Sequence, residues 1–297
     1  MTRDAATHLK AVMAMVFWGM SYLWSKRVFE YIDPASTVFF RLVISTVFLF
    51  GLLVIRGRLP KINAEQLKLL AIAALFNPFL YFLSENYGLK LVSPTISAVI
   101  IAMIPVFMPL VAFITLRERI TLVNLAGLFV SFAGVIIMVV DRSLNLSASP
   151  YGILLLFLAV GSALVHGIIL RKLTFSMEPL AIIAIENSIG AVYLIPFLLF
   201  TGGIDAFILP AHADLLLNLL MLGIFASSAA YVFFAATVKH FGITRANFYA
   251  NLIPVFTAFF SWLLIGEAIG TDKMAGIALV IIGVLLAQQR KIKSTIV

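Results

Sequence analysis

Four ionisable side chains, Arg41, Glu85, His166 and Glu186, fall inside long apolar stretches of this sequence. A charged group in such a setting is costly and faces the protein interior or a water-filled path rather than lipid. Carboxylates so placed can hold a substrate ammonium or exchange protons. The structural alternatives are a contact with a polar neighbour for Arg41 and Glu186, an interfacial carboxylate for Glu85, and a packed core ring for His166. Asn247 and Asn251 are four residues apart, on one face of a helix, and their amides suit a polar substrate; polar contacts between helices are the competing reading. Trp18, Tyr22, Tyr81 and Tyr231 lie deep in apolar stretches, away from the interfacial belt where such rings collect. Facing a cavity, they would make a weakly polar aromatic wall for amino acids or organic cations; otherwise they are packing. Pro78, Pro105 and Pro254 interrupt helices and are the candidate hinges. The substrate-binding candidates are therefore Trp18, Tyr81, Glu85, His166, Glu186, Tyr231, Asn247 and Asn251.

The elements that must carry these residues are transmembrane helices. Hydrophobic residues make up 63% and charged ones 11% of the chain, and the mean hydropathy is +1.12, whereas a soluble chain carries about 25% charged residues. The apolar blocks run over residues 9–28, 34–55, 67–89, 95–116, 122–140, 151–170, 179–201, 215–238, 244–265 and 274–287. Most approach the ~20 residues that cross a bilayer core. The first block lacks a small-residue cleavage site and reads as a retained helix. An even number of spans puts both termini on one face. That face collects fifteen of the 21 Lys and Arg, the other face five, and Arg41 is the last. The bias places both termini in the cytoplasm of an inner-membrane protein, and the formal charge of +8 needs no nucleic-acid partner.

Several chemistries are excluded. The sequence has no cysteine, so thiol catalysis and thiolate metal sites are absent. Its four histidines, His8, His166, His212 and His240, are too dispersed to predict a metal site. No phosphate-binding Gly-Lys-Ser/Thr loop appears, no cofactor is expected, and no nucleophile with a base suggests an enzyme.

Shifting the chain by 149 positions aligns 67–139 with 216–288 without a gap, and ten of the 32 positions from Ile104 to Val135 are identical. These include Pro105/Pro254, Phe107/Phe256, Glu118/Glu267, Gly127/Gly276 and Gly134/Gly283. Each half, 1–144 and 145–297, holds five spans, so the second enters the membrane inverted. Charge agrees: the loop with Arg56, Arg58 and Lys61 is basic, and its counterpart from Gly203 to Asp214 has no Lys or Arg. The polar run 141–150 links the halves. Inverted repeats supply the two near-equivalent states of a secondary transporter. The glycines let helix backbones approach closely.

Pro-Val-Phe at 105–107 and 254–256, Leu-Ile-Gly-Glu at 264–267, and Ala-Gly followed by Gly at 126–134 and 275–283 resemble the drug/metabolite transporter superfamily, specifically EamA-type ten-helix exporters. Arg117 departs from the pattern by standing where that family has Gly. The resemblance implies an all-α membrane fold and export of small metabolites by alternating access, amino acids or related amphipathic compounds foremost. The alternatives are export of multiple drugs or lipophilic cations, and a non-transporting receptor or structural protein. A phosphosugar carrier would need more deep cations than Arg41 alone. The expected partners are a small-molecule substrate, the lipid bilayer and protons, with the chain a monomer or homodimer.

The inversion makes a direct prediction. Single cysteines introduced at Arg58 and Gly203 will react with a membrane-impermeant maleimide from opposite faces, the first only after the membrane is opened; labelling of both from one face would refute the topology.

Overall fold

The computed structural model describes residues 3–107, 111, 122–139, 148–202, 207–268 and 270–287, and every regular element among them is helical. The helices are α1 (Arg3–Val28), α2 (Pro34–Ile55), α3 (Ala64–Leu91), α4 (Pro94–Phe107), α5 (Leu122–Val139), α6 (Pro150–Ser176), α7 (Pro179–Thr201), α8 (Ala213–Phe241), α9 (243–265) and α10 (Thr271–Ala287). By length and composition α2, α3, α6, α7 and α8 can cross a membrane, while α4 and α9 contain shorter apolar segments. The basic turn 117–119, the last residues of the 95–116 block, most of the 141–150 linker and the start of the Gly203 loop lie outside the described residues.

Local chemistry sets where the helices begin. Asp33 accepts from the backbone N–H groups of Ala35 and Ser36 ahead of Pro34, Asn63 and Gln66 form a capping box, and Ser93-Pro94 and Ser149-Pro150 repeat the Ser-cap and Pro pattern. Each cap satisfies a donor that would otherwise be orphaned, and Pro at the first helical position loses nothing by lacking one. Helix α6 runs past the predicted end at residue 170 through Arg171 and Lys172 to Ser176. Arg171 there donates to the Val238 carbonyl at 2.9 Å and lies over the Phe175 ring, so a basic pair that reads as a break is helical.

Two long helices are interrupted by wide, π-helical turns, Leu75–Leu80 in α3 and Leu222–Ala229 in α8. In the first, Asn77 leaves helical geometry altogether (φ −142°, ψ 118°), beside Pro78. The breaks expected at Pro105 and Pro254 sit just upstream instead, at the Ala102–Met103 turn and the 3-10 turn Tyr249–Asn251. Each proline then falls in the first turn of the following segment, where its missing N–H costs no helical bond. Segments on either side of these interruptions start at 64 and 213, 81 and 230, 94 and 243, and 122 and 271, each pair 149 residues apart.

Packing repeats the pairing. The second half of α3 lies on α6 as that of α8 lies on α1; α2 meets the wide turn of α8 as α7 meets that of α3; α2 packs on α7 and α5 on α10. Phe129, Phe200 and Trp262 point outward, while Arg41, Glu85, His166 and Glu186 are buried. Lipid as solvent accounts for both. Along α5 and α10 the backbones touch: a Cβ on Gly283 would lie 2.5 Å from Ser131 N and 2.6 Å from Gly127 O, and one on Gly134 would lie 2.7 Å from Gly276 O.

Replacing Gly283 by Val will therefore destabilise the protein by about 1–3 kcal/mol, read as a lower melting temperature in detergent. Gly51→Ala, inside α2 where nothing lies within 4 Å, will not lower it.

Candidate functional site

The helices meet around a central cavity. Helix α1 contributes Trp18, Ser21 and Tyr22; α2 contributes Arg41; α3 contributes Asn77, Tyr81, Phe82 and Glu85; α6 contributes His166; α8 contributes Tyr231 and Phe234; and α9 contributes Asn247. Ile101, Ile104 and Ile253 complete it from α4 and α9. The free space within it is about 80 Å³. That is a narrow cleft, smaller than the ~300–1,000 Å³ of sites that enclose a drug-sized ligand.

Spacing explains the α3 wall. Asn77, Tyr81 and Glu85 follow at intervals of four and share one stripe, although the wide turn separates the first from the others. The Tyr81 hydroxyl donates to Glu85 Oε1 at 2.8 Å, and Asn77 Nδ2 donates to the Tyr231 hydroxyl at 3.3 Å. Trp18 packs edge-on against Tyr231 at 5.0 Å and tilts against Phe234 at 5.2 Å. Arg41 sits over the Phe82 ring at 4.1 Å, an attractive cation–π geometry.

A polar seam that sequence reasoning missed holds Arg41 from behind. Its Nε donates to Ser227 Oγ at 2.8 Å. Ser45, one turn further along α2, shares a hydrogen bond with Ser228 at 2.6 Å, and Asn187 Nδ2 donates to Ser45 Oγ at 2.7 Å and to the Ser227 carbonyl at 3.0 Å. Arg41 and Ser45 at a spacing of four, with adjacent serines inside an apolar stretch, were the available signal.

Six of the eight substrate-binding candidates line the cavity: Trp18, Tyr81, Glu85, His166, Tyr231 and Asn247. Glu85 is buried rather than interfacial. Glu186 does not line the cavity; it stands behind His166, with Nε2···Oε2 3.2 Å, and its Oε1 has no partner among the described residues. Asn251 is also not brought in. The 3-10 turn Tyr249–Asn251 separates it from Asn247 and breaks the helical register that would put both on one face, leaving its amide buried without a partner among the described residues. Tyr22, one of the four deep aromatic residues, lines it as well, and Asn77, Phe82 and Phe234 are additions. No group of three or more metal-ligating side chains occurs among the described residues.

With the geometry in place, comparison with known proteins decides the family. The model of the EamA-like transporter family matches residues 6–140 and 150–288. The chain belongs to that family. This EamA-like transporter is 24% identical to an uncharacterized transporter of Archaeoglobus fulgidus, over 94% of this chain and 97% of that one. It is 27% identical to the uncharacterized transporter YyaM of Bacillus subtilis, over 92% and 90%. An S-adenosylmethionine/S-adenosylhomocysteine transporter of Chlamydia trachomatis is 24% identical over 94% and 88%. A solved crystal structure shares the fold with a TM-score of 0.69 at 16% identity, covering 95% of this chain and 98% of the other. The family and these relatives are transporters, not enzymes.

The two ends of this EamA-like transporter differ. At the end bearing the start of α1, Asp4 bonds His240 at 2.7 Å and His8 bonds the Tyr249 hydroxyl, while Arg58 pairs with Glu178 at 3.2 Å. The opposite end carries a separate open pocket of about 1260 Å³ among Lys26, Arg27, Lys90, Ser93, Ser149 and Glu267. Glu267, in the α9–α10 loop, accepts from Lys273 at 3.0 Å and from Thr95 at 2.9 Å, tying that loop to the start of α4. Burial alone would push its carboxyl up, but the bonds from Lys273, Ser93 and Thr95 together hold it below the usual carboxylate range.

A depressed pKa means that the ionised form stabilises the fold above the unfolded value and that this contribution is lost as pH falls through the folded one. Glu267→Gln will accordingly melt lower than the natural protein at pH 7, and the gap will narrow once pH drops below about 4.

Proposed function

We propose that this protein is a secondary transporter that exports small metabolites, amino acids or related amphipathic compounds, across the inner membrane by alternating access. In this reading all ten helices cross the bilayer, the halves 1–144 and 145–297 are inverted repeats, and both termini are cytoplasmic. The observation that carries it is that one central cavity, with buried charges and an aromatic wall, is built from both halves: α1–α4 on one side, α6, α8 and α9 on the other.

The 149-residue recurrence of helix starts and the crossed packing of the halves support the repeat. Contacts that tie down the terminal end and an open pocket at the other support an outward-facing arrangement. Exchange between the two states is rigid rocking of one half against the other, with bending at the interruptions next to Pro78, Pro105 and Pro254. Lipophilic-cation export is the second reading, favoured by Glu85 beside aromatic rings; the buried Arg41 cation in the same cavity opposes it. One relative's S-adenosylmethionine and S-adenosylhomocysteine belong among the substrates to screen.

The deciding experiment is flux in liposomes holding the purified protein, for amino acids, these two nucleosides, aromatic metabolites and lipophilic cations, with and without a pH gradient. Saturable flux of an amphipathic metabolite is expected, with at least a tenfold loss in the Tyr81→Ala, Glu85→Ala double variant. Folded protein that moves no member of the panel would favour a receptor or structural role.

A further inference from the structure

Arg41 and Glu85 are buried in the same cavity with opposite charges, yet they do not meet. No carboxylate oxygen lies within 4.0 Å of the Arg41 nitrogens among the described residues. Its Nε is held by Ser227 and its charge rests on the Phe82 ring, and among the described residues the terminal nitrogens of the guanidinium have no acceptor. Glu85 in turn receives only neutral donors: the Tyr81 hydroxyl at 2.8 Å, with the Tyr22 hydroxyl beside it. Two buried ions held apart each bear a desolvation cost that a direct pair would offset. Here neutral side chains anchor each ion at its own place on the cavity wall. Asn247, from α9, adds an amide nitrogen that is buried, lines the same cavity and has no partner among the described residues.

We infer that Arg41 and Glu85 are the two halves of a zwitterion site, the guanidinium taking a ligand's carboxylate and the Glu85 carboxylate taking its ammonium or other cationic group. This rests on the transport reading above and specifies what the cavity recognises. The planar guanidinium fork matches a carboxylate in bidentate fashion. Glu85 with Tyr81 and Tyr22 supplies the acceptor on the other side, and Trp18, Tyr231 and Phe234 offer aromatic faces to the remainder of the molecule. A ligand bearing one charge satisfies one ion and leaves the other buried and alone, with net charge added to a low-dielectric site. A zwitterion satisfies both and brings no net charge to the midplane.

The test uses the full-length protein in liposomes and three charge forms of one skeleton at a time: phenylalanine, phenethylamine and 3-phenylpropionate; methionine, 3-(methylthio)propylamine and 4-(methylthio)butyrate. Flux of each is measured together with its competition against the others. For at least one skeleton the zwitterion is expected to compete at least tenfold better than either single-charge form. Arg41→Gln should erase its advantage over the amine, and Glu85→Gln its advantage over the acid. Arg41→Lys, which keeps the charge and loses the fork, provides the comparison if Arg41→Gln does not fold; it should weaken the zwitterion and leave the amine as it was. A single-charge form handled within threefold of its zwitterion in both series, or zwitterion preference unaltered in the variants, overturns this inference and leaves transport standing. No flux of any form in either series or in the wider panel overturns both.

Discussion

In hydrocarbon a backbone carbonyl freed from its helix has no water to turn to, and the two wide turns at the middle of α3 and α8 are answered by side chains of other helices, two of the three from the opposite half. Ser162 donates to the Phe76 carbonyl at 2.6 Å; Trp18 donates to the Ala226 carbonyl at 3.3 Å; Asn187 donates to that of Ser227. The central cavity depends on this exchange. It lets Asn77 leave the helix toward Tyr231, sets Ser227 where it can hold Arg41, and fixes an indole in the aromatic wall. The Ser162 and Trp18 contacts bind the halves to each other at these interruptions.

Much of this was legible in the sequence because lipid imposes a strict grammar. Residues 34–55 and 179–201 are helices with the predicted ends, since Asp33-Pro34 and Glu178-Pro179 mark the starts and charge or glycine marks the stops. Gly134 and Gly283 sit at a backbone contact, as their spacing suggested. Depth in the apolar stretch identified Glu85, His166 and Tyr231 as cavity residues. What was hidden depends on rotation about a helix axis. Glu186 is as deep as Arg41 is, but it points to the far side of His166. Asn251 was lost to a 3-10 turn that lies just upstream of Pro254 rather than at the proline itself. Ser45, Ser227 and Ser228 were invisible for the opposite reason: serine is so ordinary in membrane helices that only its neighbours reveal a network.

The described ends of the molecule use different chemistry. Around the start of α1 the contacts are short and specific, joining Asp4 and His8 to residues of α8 and α9. At the other end Glu267 gathers a lysine and a threonine while Lys26 and Lys90 line an open pocket, Lys26 donating to the Lys90 carbonyl at 3.4 Å. The Pro-Val-Phe and Gly-Glu signatures thus serve architecture: the first opens helical segments after an interruption, and the second pins a loop to the cap of α4.

Arg41 is rooted in α2 but tied to the wide turn of α8, so it belongs mechanically to both walls. Any sliding of one wall past the other must swing the guanidinium or break its bond to Ser227. The cation inside the cavity is therefore also a gauge of the distance between the halves, and whatever neutralises it acts on the spring that joins them.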